Sequence, residues 1–154
     1  MIETPCIIQS TQQATAFIRV TVPRSEIRNV MGPGLAELMS TIASQGIAPT
    51  GPWFSHHLKM DSKIFDVKIS IPVSTPVAPS GRVQAGILPA AKVARTVYHG
   101  SYEHLGKAWE EFMVWIASEG LTPKDDSWES YKIGPADTLN PGSWHTELNR
   151  PLVD

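Results

Sequence analysis

Two segments late in the chain hold carboxylates, a phenol and indoles arranged at strand spacing. In Ser127-Trp128-Glu129-Ser130-Tyr131-Lys132, a strand period of two sets Glu129 and Tyr131 on one face and Trp128 and Ser130 on the other. In the segment from Trp144 to Pro151, Trp144, Thr146 and Leu148 share a face, and His145, Glu147 and Asn149 share the opposite one. A carboxylate walled by aromatic rings selects cations, because a buried charge left without a counter-charge is costly. Each aromatic face adds a cation–π attraction of about 0.5–2 kcal/mol. By pattern alone, Glu147 falls on the non-core face and reads as a solvated strand carboxylate. Glu129 serves a site or a cross-strand ion pair equally well.

Other chemistries find less support. The five histidines are His56, His57, His99, His104 and His145. None forms a pair at i, i+4 on a helix, and no thiolate stands ready to join them, so no metal site is expected. Cys6 is the single cysteine; it excludes an internal disulfide and has no evident activating neighbour. Gly32-Pro33-Gly34 matches no phosphate-binding fingerprint, no Gly-x-Ser-x-Gly elbow occurs, and no cofactor is expected.

The helices and strands that carry these side chains come from a repeat. Ile42-Ala43-Ser44-Gln45-Gly46-Ile47-Ala48-Pro49 returns as Ile116-Ala117-Ser118-Glu119-Gly120-Leu121-Thr122-Pro123, from position 42 to position 116, an offset of 74. Each copy ends an apolar-periodic segment, passes through Gly and reaches Pro three residues later, which marks a helix C-terminus. β-Rich segments precede both helices, Phe17 to Val22 and Val93 to Tyr98, each with an arginine in third place (Arg19, Arg95). Trp53 to Leu58 and Ser127 to Lys132 follow at the same offset, and the halves close with Phe65 to Pro72 and Trp144 to Pro151. Each half therefore reads strand, helix, strand, strand. The growth of the offset from 74 to 79 at the last strand puts extra residues into the second half's final hairpin.

The second helix is the more regular. Ser101 is its expected N-cap, Glu103 adds a first-turn carboxylate, and Leu105, Ala108, Trp109, Phe112, Trp115 and Ile116 form one apolar face. In the first helix Gly32-Pro33-Gly34 predicts a kink or a restart near Met31. The chain is expected to be one domain over residues 1–154, with module one at about 1–75, a crossover at about 76–91 and module two at about 92–154. Within the crossover, Gln84 to Pro89 could form a short strand.

Composition agrees with a packed interior: 154 residues, 42% hydrophobic, 18% charged, net charge −2. No basic stripe suits direct nucleic-acid binding, and no apolar run approaches the roughly 20 residues that span a bilayer. With no signal peptide or appended helix-turn-helix evident, the expected location is the cytoplasm.

In order along the chain, Thr96-Val97-Tyr98-His99-Gly100-Ser101-Tyr102-Glu103-His104-Leu105-Gly106, Trp128-Glu129-Ser130-Tyr131 and Trp144-His145-Thr146-Glu147-Leu148 resemble the GyrI-like small-molecule-binding family. That family includes the effector-binding domains of multidrug-responsive transcription activators, as well as stand-alone proteins of this size, and the resemblance runs from about Met1 to Val153. It implies an α+β fold with antiparallel sheets: two strand-helix-strand-strand modules related by a pseudo-twofold axis, with a central groove between them. The implied ligand is a hydrophobic, often cationic aromatic compound held by a groove glutamate. Carried over by motif, that anchor falls on Glu147 and the tyrosine of the preceding strand on Tyr131. Glu129, His57, Phe54, Trp109 and Trp144 complete the implied ligand-binding set. Tyrosine is frequent in the family where this chain has His57, and a histidine there makes ligand preference pH-dependent.

Three functions follow as expectations. The first is binding without turnover, for multidrug sensing or sequestration, with any effect on transcription needing a partner regulator. The second is a hydrolase of reactive cyclopropane-containing antibiotics, with Glu147 and Tyr131 as catalytic residues and Glu129 assisting. The third is a protein interaction such as inhibition of DNA gyrase.

Overall fold

The computed structural model describes residues 2–59, 63–135 and 137–153, with Arg28 described by its backbone alone. The fold is α+β, with all strand pairings antiparallel. In order come β1 (Cys6–Gln9), β2 (Gln13–Pro23), α1 (Ile27–Ser44), β3 (Phe54–His57), β4 (Ile64–Pro72), β5 (Gln84–Leu88), β6 (Lys92–His99), α2 (Leu105–Ser118), β7 (Ser127–Ile133) and β8 (His145–Pro151). The chain divides into two compact units, Thr11–Ala90 and Met1–Ser10 with Ala91–Asp154. The first carries strands in the order β3-β4-β2-β5, the second in the order β1-β6-β8-β7. Each repeat thus hands its leading strand to the other. Strand β1 precedes β2 in sequence but pairs with β6, and β5 precedes β6 but pairs with β2.

In the Thr11–Ala90 unit, strand alternation turns Ile18, Val20, Val67 and Ile69 toward Leu38 and Ile42 of α1. Helix α1 runs on through Pro33 without the expected restart. Gly34 permits close approach: a Cβ there would sit 2.5 Å from Ile69 Cδ1. The segment read as a crossover is bound into this unit. Val77 and Val83 join its core, Arg82 pairs with Glu37 of α1 at 2.8 Å, and Ala78 exchanges hydrogen bonds with the Gln45 side chain. In the other unit, Ala94, Tyr98 and Leu148 pack against Ala108, Phe112 and Ile116 of α2.

The repeated phrase ends both helices alike. Gly46 and Gly120 both have φ +69°, the left-handed region that a Cβ disfavours. The N–H of Ile47 donates to the Ile42 carbonyl and that of Gly46 to Ala43; Leu121 to Ile116 and Gly120 to Ala117 repeat the pattern. These are Schellman caps, with an apolar residue following each glycine onto the core. After the caps, Pro49 bridges Val73 and Pro123 bridges Leu152, so the last strands correspond at an offset of 79. Ser101 occupies the expected cap position with extended backbone, but its side chain makes no capping bond, and a single 3-10 turn (Tyr102–His104) leads into α2.

Candidate ligand-binding site

Strand register decides which side chains can act together. Glu129 lies opposite Leu148, and Tyr131 opposite Thr146. Leu148 belongs to the core beneath α2, so Glu129 and Tyr131 face the helix. Ser130 lies opposite Glu147, which therefore faces away from the helix. The two carboxylates are equally buried, each 8% exposed, so burial does not distinguish them. Their neighbours do.

On the helix side, the indole N–H of Trp109 donates to Glu129 Oε2 at 2.5 Å, and the Tyr131 hydroxyl donates to Oε1 at 2.7 Å. These two neutral donors orient the carboxylate. Aromatic rings continue outward: Tyr102 meets Tyr131 edge-on with centroids 5.8 Å apart and Trp144 at 4.9 Å, and Trp109 lies 5.7 Å from Phe112. Trp144 is itself pinned by its N–H to the Thr138 carbonyl at 2.9 Å. Burial, reinforced by the charges of Glu129 and Asp137, raises the Tyr102 phenol above its ordinary range. Between Tyr98 and Tyr131 across the strands, Thr146 is fully buried, and its hydroxyl has no hydrogen-bond partner among the described residues.

On the other side, Glu147 sits between cations, with Lys132 Nζ 3.0 Å away and Arg95 Nε 3.3 Å away. The Asn149 amide also reaches Glu147 Oε1 at 3.3 Å. Arg95 in turn donates to Asn149 Oδ1 at 2.6 Å. Glu147 and Tyr131, the pair expected for hydrolysis, thus stand on opposite faces and are not brought together.

The Thr11–Ala90 unit holds the remaining expected residues. His57 lies opposite Val67 and so faces α1, its Nε2 3.1 Å from Ser55 Oγ and its ring 5.4 Å from that of Phe65. Register makes His57 the counterpart of Tyr131 and Ser55 that of Glu129, so a Ser–His contact stands where the other unit has Glu–Tyr. Phe54 is buried on the face away from α1, opposite Ser70. The arginine correspondence read from sequence shifts: Arg19 lies opposite Lys68 but Val97 opposite Glu147, so Phe17 rather than Arg19 matches Arg95.

Sequence reading missed Tyr102 and Thr146 as members of the helix-side cluster. Tyr102 stood in the quoted Gly-Ser-Tyr-Glu stretch, and Thr146 shared its face with Trp144, yet neither position revealed a neighbour across the fold. Among the described residues no group of three or more His, Cys, Asp or Glu is arranged to hold a metal, and no helix is long and apolar enough to cross a membrane.

Known proteins bear on this arrangement. A family model, the GyrI-like small molecule binding domain, matches residues 5–152. No curated protein sequence matches the chain. Among solved structures, the EcmrR C-terminal domain superposes with a TM-score of 0.87 at 20% identity, covering 98% of each chain. EcmrR in its DNA complex gives 0.85 at 21% identity; there the match covers 97% of this chain but 57% of the longer one. SAV2435 bound to tetraphenylphosphonium gives 0.67 at 12% identity, covering 98% of this chain and 94% of that one. A hydrolase from Listeria innocua gives 0.68 at 12% identity, covering 97% and 91%. At these identities the likeness is one of fold.

Proposed function

The chain belongs to the GyrI-like small-molecule-binding family, and from that footing we propose that it binds hydrophobic, cationic aromatic compounds on the helix-facing side of β7, with Glu129 as the charge anchor. The observation that carries this reading is the setting of Glu129. Its carboxylate is aimed by Trp109 and Tyr131 and continues into the rings of Tyr102, Trp144 and Phe112. A lipophilic cation gains there both a fixed negative charge and aromatic faces. Glu147 serves that role less well, because Lys132 and Arg95 already answer its charge. SAV2435, which shares the fold, is known with tetraphenylphosphonium bound, a ligand of this chemical class.

A second reading shares the site. The Tyr131–Glu129 contact supplies a hydrogen-bond donor beside a carboxylate, the components of acid–base hydrolysis, now with Glu129 in the role expected of Glu147. One experiment separates them. Tetraphenylphosphonium and a neutral analogue are titrated by tryptophan fluorescence into wild type and Glu129→Gln, and cyclopropane-containing antibiotics are incubated with both and followed by mass spectrometry. Saturable quenching by the cation, lost in the variant, with every compound recovered intact, supports binding. Consumption of an antibiotic by wild type alone supports hydrolysis. Identical titrations for the two proteins overturn Glu129 as anchor.

A further inference from the structure

Lys68 occupies in the Thr11–Ala90 unit the register position that Glu147 holds in the other, and there the charge pattern inverts. Glu147 is flanked by two basic side chains. Lys68 is instead itself flanked by basic or titratable ones, with Arg19 directly opposite on β2 and His56 directly opposite on β3. Among the described residues the one carboxylate of this row is Asp66, and it is taken. Arg19 holds it through two bonds of 2.9 and 2.8 Å, and Thr21 adds a third. Among the described residues Lys68 forms no ion pair; its ammonium rests over the Phe17 ring, 4.6 Å from the centroid. Like charges set opposite one another across strands repel, and an anion beside Lys68 would relieve that repulsion.

The surface around Lys68 is shaped for one. A shallow depression is lined by Thr15, Phe54, His56, Lys68, Ser70 and the edge strand's Ile87 and Leu88. Two hydroxyls and an ammonium thus meet at an apolar wall, all within one unit and on the face turned away from α1. The floor is held: Ser70 Oγ donates to the Lys68 carbonyl at 3.0 Å, and Gly86 approaches so closely that a Cβ there would meet Thr15 Oγ1 at 3.0 Å. We propose that this depression is a second binding site, which takes a compact anionic group, a carboxylate or a phosphate, on Lys68 with a hydroxyl donor from Thr15. It differs from the Glu129 site in unit, in sheet face and in the sign of ligand charge.

The test is an NMR titration of the ¹⁵N-labelled full chain at constant ionic strength, with benzoate and separately with inorganic phosphate. Saturable shifts confined to the amides of Thr15, Ser70 and Leu88 are expected with at least one probe. Saturation by benzoate alone assigns the site to carboxylates on apolar bodies; saturation by phosphate assigns it to phosphate groups. Lys68→Met keeps an apolar stem over Phe17, so the fold persists, and it should weaken binding at least about tenfold. Lys68→Arg should bind within about threefold of wild type. Shifts that stay linear with both probes, or curves unchanged in Lys68→Met, overturn the proposal. So does a Lys68→Arg protein as weak as Lys68→Met.

Discussion

Glu129 and Glu147 stand on neighbouring strands of one unit, equally buried, and face opposite ways: Glu129 toward α2 among aromatic rings, Glu147 away from it between Arg95 and Lys132. Glu129 is set among aromatic rings, and the charge of Glu147 is answered in place by two cations. Glu129→Gln should therefore weaken tetraphenylphosphonium binding at least about tenfold, whereas Glu147→Gln should leave it within about threefold. Calorimetric titration of both variants decides, and the reverse order would return the anchor to Glu147.

Glu147→Gln should instead show itself in stability. Losing the carboxylate strands Arg95 and Lys132 together, but both are partly solvated (30% and 49% exposed), so a loss of about 1–2 kcal/mol is expected rather than the larger figure for fully buried pairs. Urea denaturation at low and high salt measures it. The difference from wild type should shrink as salt screens the exposed partners.

Thr146 carries the opposite expectation. Its buried hydroxyl has no partner among the described residues, so Thr146→Val, which keeps the shape, removes a desolvated polar group. A gain of about 1 kcal/mol is expected, read as a rise in Tm of roughly 2–4 °C. A fall in Tm would mean that the hydroxyl is satisfied in solution.

Tyr102 reports on Glu129 through its titration. Its phenol is raised above the ordinary value of 10.0, first by burial and then by the charges of Glu129 and Asp137. A group with a raised folded-state value stabilises fully below its unfolded value, and that contribution is lost as pH climbs through the folded one. Stability should therefore decline from about pH 10 upward, and less steeply in Tyr102→Phe. In a phenolate absorbance titration, Glu129→Gln should move the highest step back toward the ordinary range. An unmoved step would place Glu129 outside electrostatic reach of the ring.

The two helix caps should answer substitution alike. With φ at +69° in both, Gly46→Ala and Gly120→Ala should each cost about 1–2 kcal/mol. Thermal melts of the two single variants check this. A cost at one cap and none at the other would show that the repeated phrase no longer does the same structural job twice.

What could be read from the sequence was whatever is local. Gly46 and Gly120 announce their caps because only glycine takes that backbone freely, and the alternation in Phe65 to Pro72 and Trp144 to Pro151 marks strands by its period of two. The repeat, the α+β class and the family followed from such signals. So did the correspondence of Tyr131 with His57, which the register preserves. Of the kink or restart expected near Met31, the restart did not occur, since burying Leu38 and Ile42 against β2 and β4 outweighs one lost backbone bond.

Tertiary structure alone decided which side chains meet. Alternation sorts the residues of a strand into two faces but cannot say which face of β7 lies with which face of β8. That depends on register, and a one-residue slip would exchange Glu129 and Ser130. The reciprocal pairing of β1 with β6 and β5 with β2 was likewise beyond local pattern, because short strands of similar composition pair equally well with either repeat until the whole chain closes. Local pattern was enough for the elements and their kinship. Long-range pairing decided that Glu129 meets the aromatic rings, that Glu147 meets two cations, and that Lys68 meets no carboxylate among the described residues.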